Sequence, residues 1–412
     1  VSTHAPVRPS YAAVLRLPHV RRTFTAALAA RLSYGTVGLA VMLSVTRATG
    51  SYAVSGAVMS LFGATTVFLT PLRAALSDRH GARRAVLPMA VLYGALLALL
   101  AVLTWRPGAP VALIATVAAL AGACAPPLGP VMRAVWAELA PDQRMLQRAY
   151  SLDGVAEELL FVSGPVLVGV LTGFAPPASG VLFSALLVVG GASVFLSSPV
   201  VPGPRPAPPR GRRGAVTGLV PPVVVALGAG LAVSAVELLT MAFATEHGYD
   251  TGLVPWVLGA VSAGSAVGGL VNGAVAWRAP ARARLVLFAV ALGCVIAVAG
   301  LAPNLWLLTA ALAVAGAFIA PTLTTAYLAA DELAAPESRT QAGAWVNMGV
   351  NGGSSAGALA AGLLIGRLPL GVCFLVTGAT ALASAALAAG GRTTRAARAP
   401  RHLTGAGEHP PR

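Results

Sequence analysis

The chain has 412 residues, of which 57% are hydrophobic and only 10% charged, and its mean hydropathy is +0.79. Soluble domains average about 25% charged residues, so this composition excludes them as the bulk of the chain and makes lipid its main solvent. The net charge of +15 would suggest nucleic-acid binding in a soluble protein, but the arginines sit in short loops and tails between apolar stretches, so no nucleic-acid partner is expected.

Crossing a hydrocarbon core of roughly 30 Å takes about 20 helical residues, and apolar stretches of that length number about twelve. They run 24 to 46, 53 to 76, 85 to 104, 110 to 132, 150 to 173, 178 to 197, 219 to 243, 252 to 276, 284 to 302, 305 to 327, 341 to 366 and 369 to 390. Strands are excluded as the main element, because continuous apolar runs satisfy their backbone in lipid only as helices, whereas barrel strands alternate. An all-α membrane protein with twelve transmembrane helices follows as the expected fold class. Residues 1 to 23 read as a polar tail without a cleavable signal, since the first apolar stretch exceeds a signal's short core. Every basic residue is arginine, which with abundant Ala, Gly, Val and Pro points to a GC-rich bacterial genome, and Val1 fits a GTG start codon.

Span 1 carries Arg31 about two turns in, on a stripe with Tyr34, Gly35, Gly38 and Met42. After span 2 comes Leu76 to Arg84, LSDRHGARR, a tight polar turn in which Gly81 permits a conformation other residues resist and Asp78 lies beside a basic cluster. Span 4 ends near Arg133. Span 5 carries Glu157 and Glu158, then Gly164 and Pro165 in mid-helix with Gly169 beyond. Arg31 and these glutamates start from the same face and lie at similar depth, so an arginine–carboxylate pair is expected. Adjacent glutamates diverge by about 100° on a helix. Glu158 is favoured as the partner because it shares a stripe with Gly154, Pro165 and Gly169, and the pair reads either as a switch or as a permanent brace.

The segment from Ser198 to Gly214, rich in Pro and Arg, reads as a linker (198 to 218) between bundles at 24 to 197 and 219 to 390. Glu237 stands alone in span 7 with no cation nearby in sequence, which suits a proton carrier; alternatively it faces an external vestibule. In span 8, Asn272 follows Gly264 and Gly268 on one face, and in span 11 Asn347 and Asn351 lie one turn apart. These three are candidates for a substrate cavity or, equally, for helix-to-helix glue. The tail from 391 to 412 is basic and expected to be disordered, a topology anchor or a ligand for anionic headgroups.

Two copies of one pattern support the two-bundle reading. AGACAPPL at Ala121 to Leu128 resembles AGAFIAPTL at Ala315 to Leu323, and Glu138–Leu139 recurs at the same separation as Glu332–Leu333. Six spans separate the copies, so the repeat is parallel, as in transporters that build two bundles around a midplane site. Sorted by loop, most arginines fall on one side and only Arg47, Arg106 and Arg367 on the other; the positive-inside rule makes the rich side, with both termini, cytoplasmic.

Helix number, linker, repeat and the Asp78, Arg79, Gly81, Arg83, Arg84 turn together resemble the major facilitator superfamily, and among its members bacterial twelve-helix drug or metabolite efflux proteins of actinobacterial type. Ala74 and Ala82 replace a glycine and a basic residue of the usual loop signature. The resemblance implies that this loop stabilises an outward-facing state, with Asp78 meeting a neighbouring helix end and an arginine of span 4, for which Arg133 is the candidate. It also implies a site lined by spans 1, 4, 7 and 10, and it makes Gly164–Pro165 similar to the Gly-Pro signature of proton-coupled exporters. Proton-coupled efflux of a small molecule from the inner (plasma) membrane by a monomer is the expectation; uptake of a metabolite is the alternative, and a non-transporting sensor or scaffold a third reading. No nucleotide loop occurs in this lysine-free chain, the single cysteines Cys124, Cys294 and Cys373 lack metal or disulfide spacing, and no catalytic constellation is evident, so neither enzyme activity, cofactor nor metal is expected.

Overall fold

The computed structural model describes residues 10–201, 203 and 218–390. Most of the Pro/Arg-rich linker, the tail from 391 to 412 and residues 1–9 lie outside the described residues, and with them Arg8, Arg205, Arg210, Arg212 and Arg213.

A short helix α1 (Tyr11–Leu15) leads into α2 (Val20–Thr49), α3 (Tyr52–His80), α4 (Ala82–Trp105), α5 (Val111–Cys124), α6 (Leu128–Leu139), α7 (Gln143–Thr172) and α8 (Ala178–Leu196). Beyond the linker follow α9 (Val220–Glu246), α10 (Val254–Ala274), α11 (Ala281–Ala299), α12 (Leu305–Leu333), α13 (Arg339–Leu364) and α14 (Leu370–Gly390). Among the described residues, 11 helices are long and apolar enough to span a membrane, with α5 and α6 counted as one broken span. The exception is α13. It is 26 residues long, enough to cross, but Gln341, Asn347, Asn351 and a run of Gly and Ser dilute its apolar character.

Helix starts follow local chemistry. The side chains of Ser10, Ser51, Asp142 and Asn304 each accept a backbone N–H in the first turn of α1, α3, α7 and α12, satisfying donors that a helix leaves unpaired. Gly81 alone separates α3 from α4, at a φ of +83 that side chains other than hydrogen resist.

Helix pairing is the same in both halves. Before the linker α2 packs on α7 and α8, α3 on α5, and α4 on α5 and α8; after it α9 packs on α13 and α14, α10 on α12, and α11 on α12 and α14. This correspondence, span for span, is the parallel repeat expected from the two sequence copies. Gly35 of α2 and Gly164 of α7 meet backbone to backbone: a Cβ on Gly164 would lie 2.8 Å from the Gly35 Cα, so the crossing excludes any side chain there. Pro165 follows inside an unbroken α7.

The halves touch each other through α3 with α13, α6 with α13, and α7 with α10 and α12. Most of the hydrogen bonds between them lie at the end that carries Arg79, Arg144, Arg278 and Arg339.

Candidate functional site

Asp153 and Glu157 lie four residues apart on α7 and therefore on one face, one turn above the other. Arg31 of α2 reaches both, at 2.6 Å to Asp153 and 2.8 Å to Glu157. Arg133 of α6 closes the square, at 2.6 Å to Glu157 and 3.5 Å to Asp153. Arg31 is 2% and Asp153 0% exposed, so desolvation is severe, and the two arginines and two carboxylates sum to zero. On its other side Arg133 lies 3.7 Å over the ring of Tyr327, which projects from α12 in the second half.

Two expectations are corrected here. Glu157, not Glu158, pairs with Arg31, because the 100° step turns Glu158 toward α10, where Ser265 Oγ donates to its Oε1. Arg133 is taken by Asp153 and Glu157 rather than by Asp78. Asp153 was missed because span 5, begun at residue 150, placed it at the headgroup level. α7 starts a further two turns earlier, at Gln143. The i, i+4 spacing of Asp153 and Glu157 was the available signal.

Arg73 of α3, also missed, explains how span 4 breaks. In a continuous helix the Gly122 and Ala123 carbonyls would accept from residues 126 and 127, but both are prolines without an N–H. Arg73 Nη1 supplies the missing donors, at 2.6 Å to Gly122 O and 3.1 Å to Ala123 O. Tyr34 donates its hydroxyl to Pro126 O. Span 4 thus divides into α5 and α6, and α6 turns Arg133 toward α7.

A cavity of about 310 Å³ lies between α7 and the second half. Glu158 enters it from α7 and Glu237 from α9; Ser262 and Ser265 of α10 are its remaining polar side chains, and the walls are apolar, from Phe161 on α7 to Leu312 on α12. Glu158 Oε2 is shielded from solvent without a hydrogen-bond partner, and Glu237 is exposed. Neither glutamate makes an ion pair among the described residues. The resemblance placed the site on spans 1, 4, 7 and 10, whereas this cavity is lined by spans 5, 7, 8, 9 and 10; spans 1 and 4 are held together by the charge square. Asn272, Asn347 and Asn351 are not among the lining residues. The α10 face bearing Gly264 and Gly268 is occupied by the backbone of α12, Asn272 is buried at the seam between the halves, and Asn351 bonds Asn347 at 3.0 Å.

The seam at the arginine-rich end is polar. Asp78 Oδ2 accepts the Gln341 backbone N–H at 2.9 Å, in the first turn of α13, whose own N-cap Ser338 turns its hydroxyl back to Ala335 O and caps nothing in the helix. A carboxylate from one half thereby caps, and offsets the dipole of, a helix in the other. Arg79, Arg83 and Arg84 stay exposed beside it. Across α7 and α10, Gln147 donates to Asn272 O, Arg148 donates to Ala274 O at 3.0 Å, and Arg284 of α11 donates to Gln147 Oε1 at 2.6 Å. Tyr11 of α1 donates to Leu270 O.

The sequence matches the profile of the Major Facilitator Superfamily over residues 23–302 and again over 238–411. The chain belongs to the major facilitator superfamily. It is a multi-pass membrane protein, a secondary transporter of a small molecule and not an enzyme. Its fold is similar to the outward-facing crystal structure of a bacterial homologue of the iron transporter ferroportin, with a TM-score of 0.74 at 14% identity, covering 90% of this chain and 98% of that one. It is similar also to the human organic anion transporter MFSD10 (TM-score 0.68, 17% identity, 92% and 100% covered) and to the E. coli fucose:proton symporter FucP (0.66, 13%, 89% and 98%). No curated protein matches the sequence. At such identities the likeness establishes the superfamily fold and leaves the substrate open.

Proposed function

We propose that this superfamily member is a proton-coupled exporter of a small molecule, in the manner of the twelve-helix efflux proteins its sequence resembles. It works as a monomer in the plasma membrane, with both termini and the arginine-rich end in the cytoplasm. Residues 24–197 and 219–390 are its two moving bodies and 198–218 the linker. On this reading the seam sealed by Asp78 and by the Gln147, Arg148 and Arg284 bonds is the closed cytoplasmic gate, and the conformation is outward-facing. The observation that carries the reading is the seam itself: the halves meet at one end through hydrogen bonds that must break for the other access state to form.

The test needs no substrate. A Cβ on Gly343 of α13 would lie 3.9 Å from Pro130 Cβ of α6, within the Cβ–Cβ range of about 3.5–4.5 Å for a disulfide. In a background lacking Cys124, Cys294 and Cys373, the Pro130→Cys/Gly343→Cys pair is expected to cross-link on oxidation. A third cysteine, Ser262→Cys in the cavity, then reacts with an impermeant maleimide from the arginine-poor side only; reduction restores labelling from both sides. Labelling of the cross-linked protein from the arginine-rich side would refute the proposed gate.

Coupling is assigned to Glu237, a carboxylate in the cavity with no ion-pair partner among the described residues. Glu237→Gln is expected to lower pH-gradient-driven transport in reconstituted vesicles at least about tenfold. Unchanged transport with unchanged pH dependence removes Glu237 from that role. The square of Arg31, Arg133, Asp153 and Glu157 is read as a hub linking α2, α6 and α7 to Tyr327, through which the first half senses the second. Uptake remains the second reading of direction, and the neighbouring fucose:proton symporter illustrates it on the same fold.

A further inference from the structure

The cavity has a chemistry of its own. Its polar side chains are two carboxylates, Glu158 and Glu237, and two serines; every other lining residue is apolar, and among the described residues no arginine or histidine faces in. Arg31 and Arg133, the buried cations nearest along α7, are already neutralised by Asp153 and Glu157. The cavity therefore offers a cation two carboxylates without a counter-charge among the described residues, Glu158 shielded by the apolar wall and Glu237 exposed, and beside the shielded one a bound cation gains more than it would in water.

We infer that this cavity takes a lipophilic organic monocation, its charge held between Glu158 and Glu237 and its apolar body laid against Phe161, Val233, Leu258 and Leu312. The inference rests on reading the cavity as the transporter's substrate site and names the class of that substrate. Other classes fit the lining worse. An anion would meet two carboxylates and no donor except serine. A sugar would leave most of its hydroxyls against Val, Leu and Ile, each at the cost of an unmade hydrogen bond. A metal ion needs a dense shell of oxygen, nitrogen or sulfur ligands, and the described residues contain no cluster of His, Cys, Asp and Glu able to supply one. A volume of about 310 Å³ is at the small end of the range for drug-sized ligands, which suits one compact apolar cation.

Tetraphenylphosphonium and tetraphenylborate, which share shape and apolar surface but carry opposite charge, separate charge selection from simple greasiness. Equilibrium dialysis with the purified full chain in detergent is expected to detect tetraphenylphosphonium binding and at least tenfold weaker tetraphenylborate binding. Glu158→Gln and Glu237→Gln each weaken the cation about tenfold, and the double variant loses it; melting curves without ligand show that the variants are folded. Equal affinity for the two ions, absence of cation binding to the wild type, or wild-type affinity in the folded double variant overturns the inference. The gate cross-link uses no ligand, so failure here leaves the alternating-access reading standing, and failure there leaves the cation site standing.

Discussion

Arg31→Met is expected to destabilise the protein by about 3–5 kcal/mol, the largest effect of any single substitution considered, because it breaks a buried charge balance rather than a surface contact. Arg31 lies 2.6 Å from Asp153 and 2.8 Å from Glu157, and with it gone Arg133 alone faces two desolvated carboxylates. Asp153→Asn in the same chain removes the surplus charge and leaves the Arg133–Glu157 pair, itself 2.6 Å apart, neutral. The double variant should therefore be more stable than Arg31→Met alone, with a coupling energy of about 0.5–3 kcal/mol in a double-mutant cycle. Denaturant or thermal melts of the purified protein in detergent measure all four corners. Strict additivity would mean that the square is four independent contacts and not a unit.

Arg73→Leu comes next, at about 1–3 kcal/mol, the cost of one buried unsatisfied group, since it leaves Ala123 O without a donor and Gly122 O with only the Ala125 N–H at 3.3 Å. Those carbonyls, Gly122 O and Ala123 O, accept from Arg73 at 2.6 and 3.1 Å only because Pro126 and Pro127 have no N–H to give. The rescue is correspondingly specific. Pro126→Ala with Pro127→Ala restores the two helical donors, so the triple variant should regain most of the stability lost by Arg73→Leu. Loss of transport should persist in it, because straightening span 4 turns Arg133 away from α7. A triple variant no more stable than Arg73→Leu would show that the guanidinium does something other than cap the broken helix. The contrast with the second half is informative: there the copy of this pattern keeps one proline, Pro321, and α12 runs unbroken from Leu305 to Leu333.

Much of the architecture was legible in the sequence because lipid makes it local. A stretch that crosses hydrocarbon must satisfy every backbone group within itself, so hydropathy and length alone mark the helices. Gly81 announced the turn between α3 and α4 for the same reason: its φ of +83 is a property of one residue. The copies around Pro127 and Pro321 likewise foretold that the two halves would pair their helices alike. What a side chain meets, by contrast, depends on the rotation of each helix about its own axis and on where it truly begins. A 100° step separates Glu157, inside the square, from Glu158, inside the cavity, and two extra turns at the start of α7 bring Asp153 from the headgroup level into the core. Arg73 reads as an isolated charge until α5 is laid beside it, and Asn272 as cavity residue or helix glue alike until α10 is seen packed against α12 and α7. Only the assembled helices decide these matters, because the energy that selects them comes from contacts between residues far apart in the chain, which a local pattern does not record.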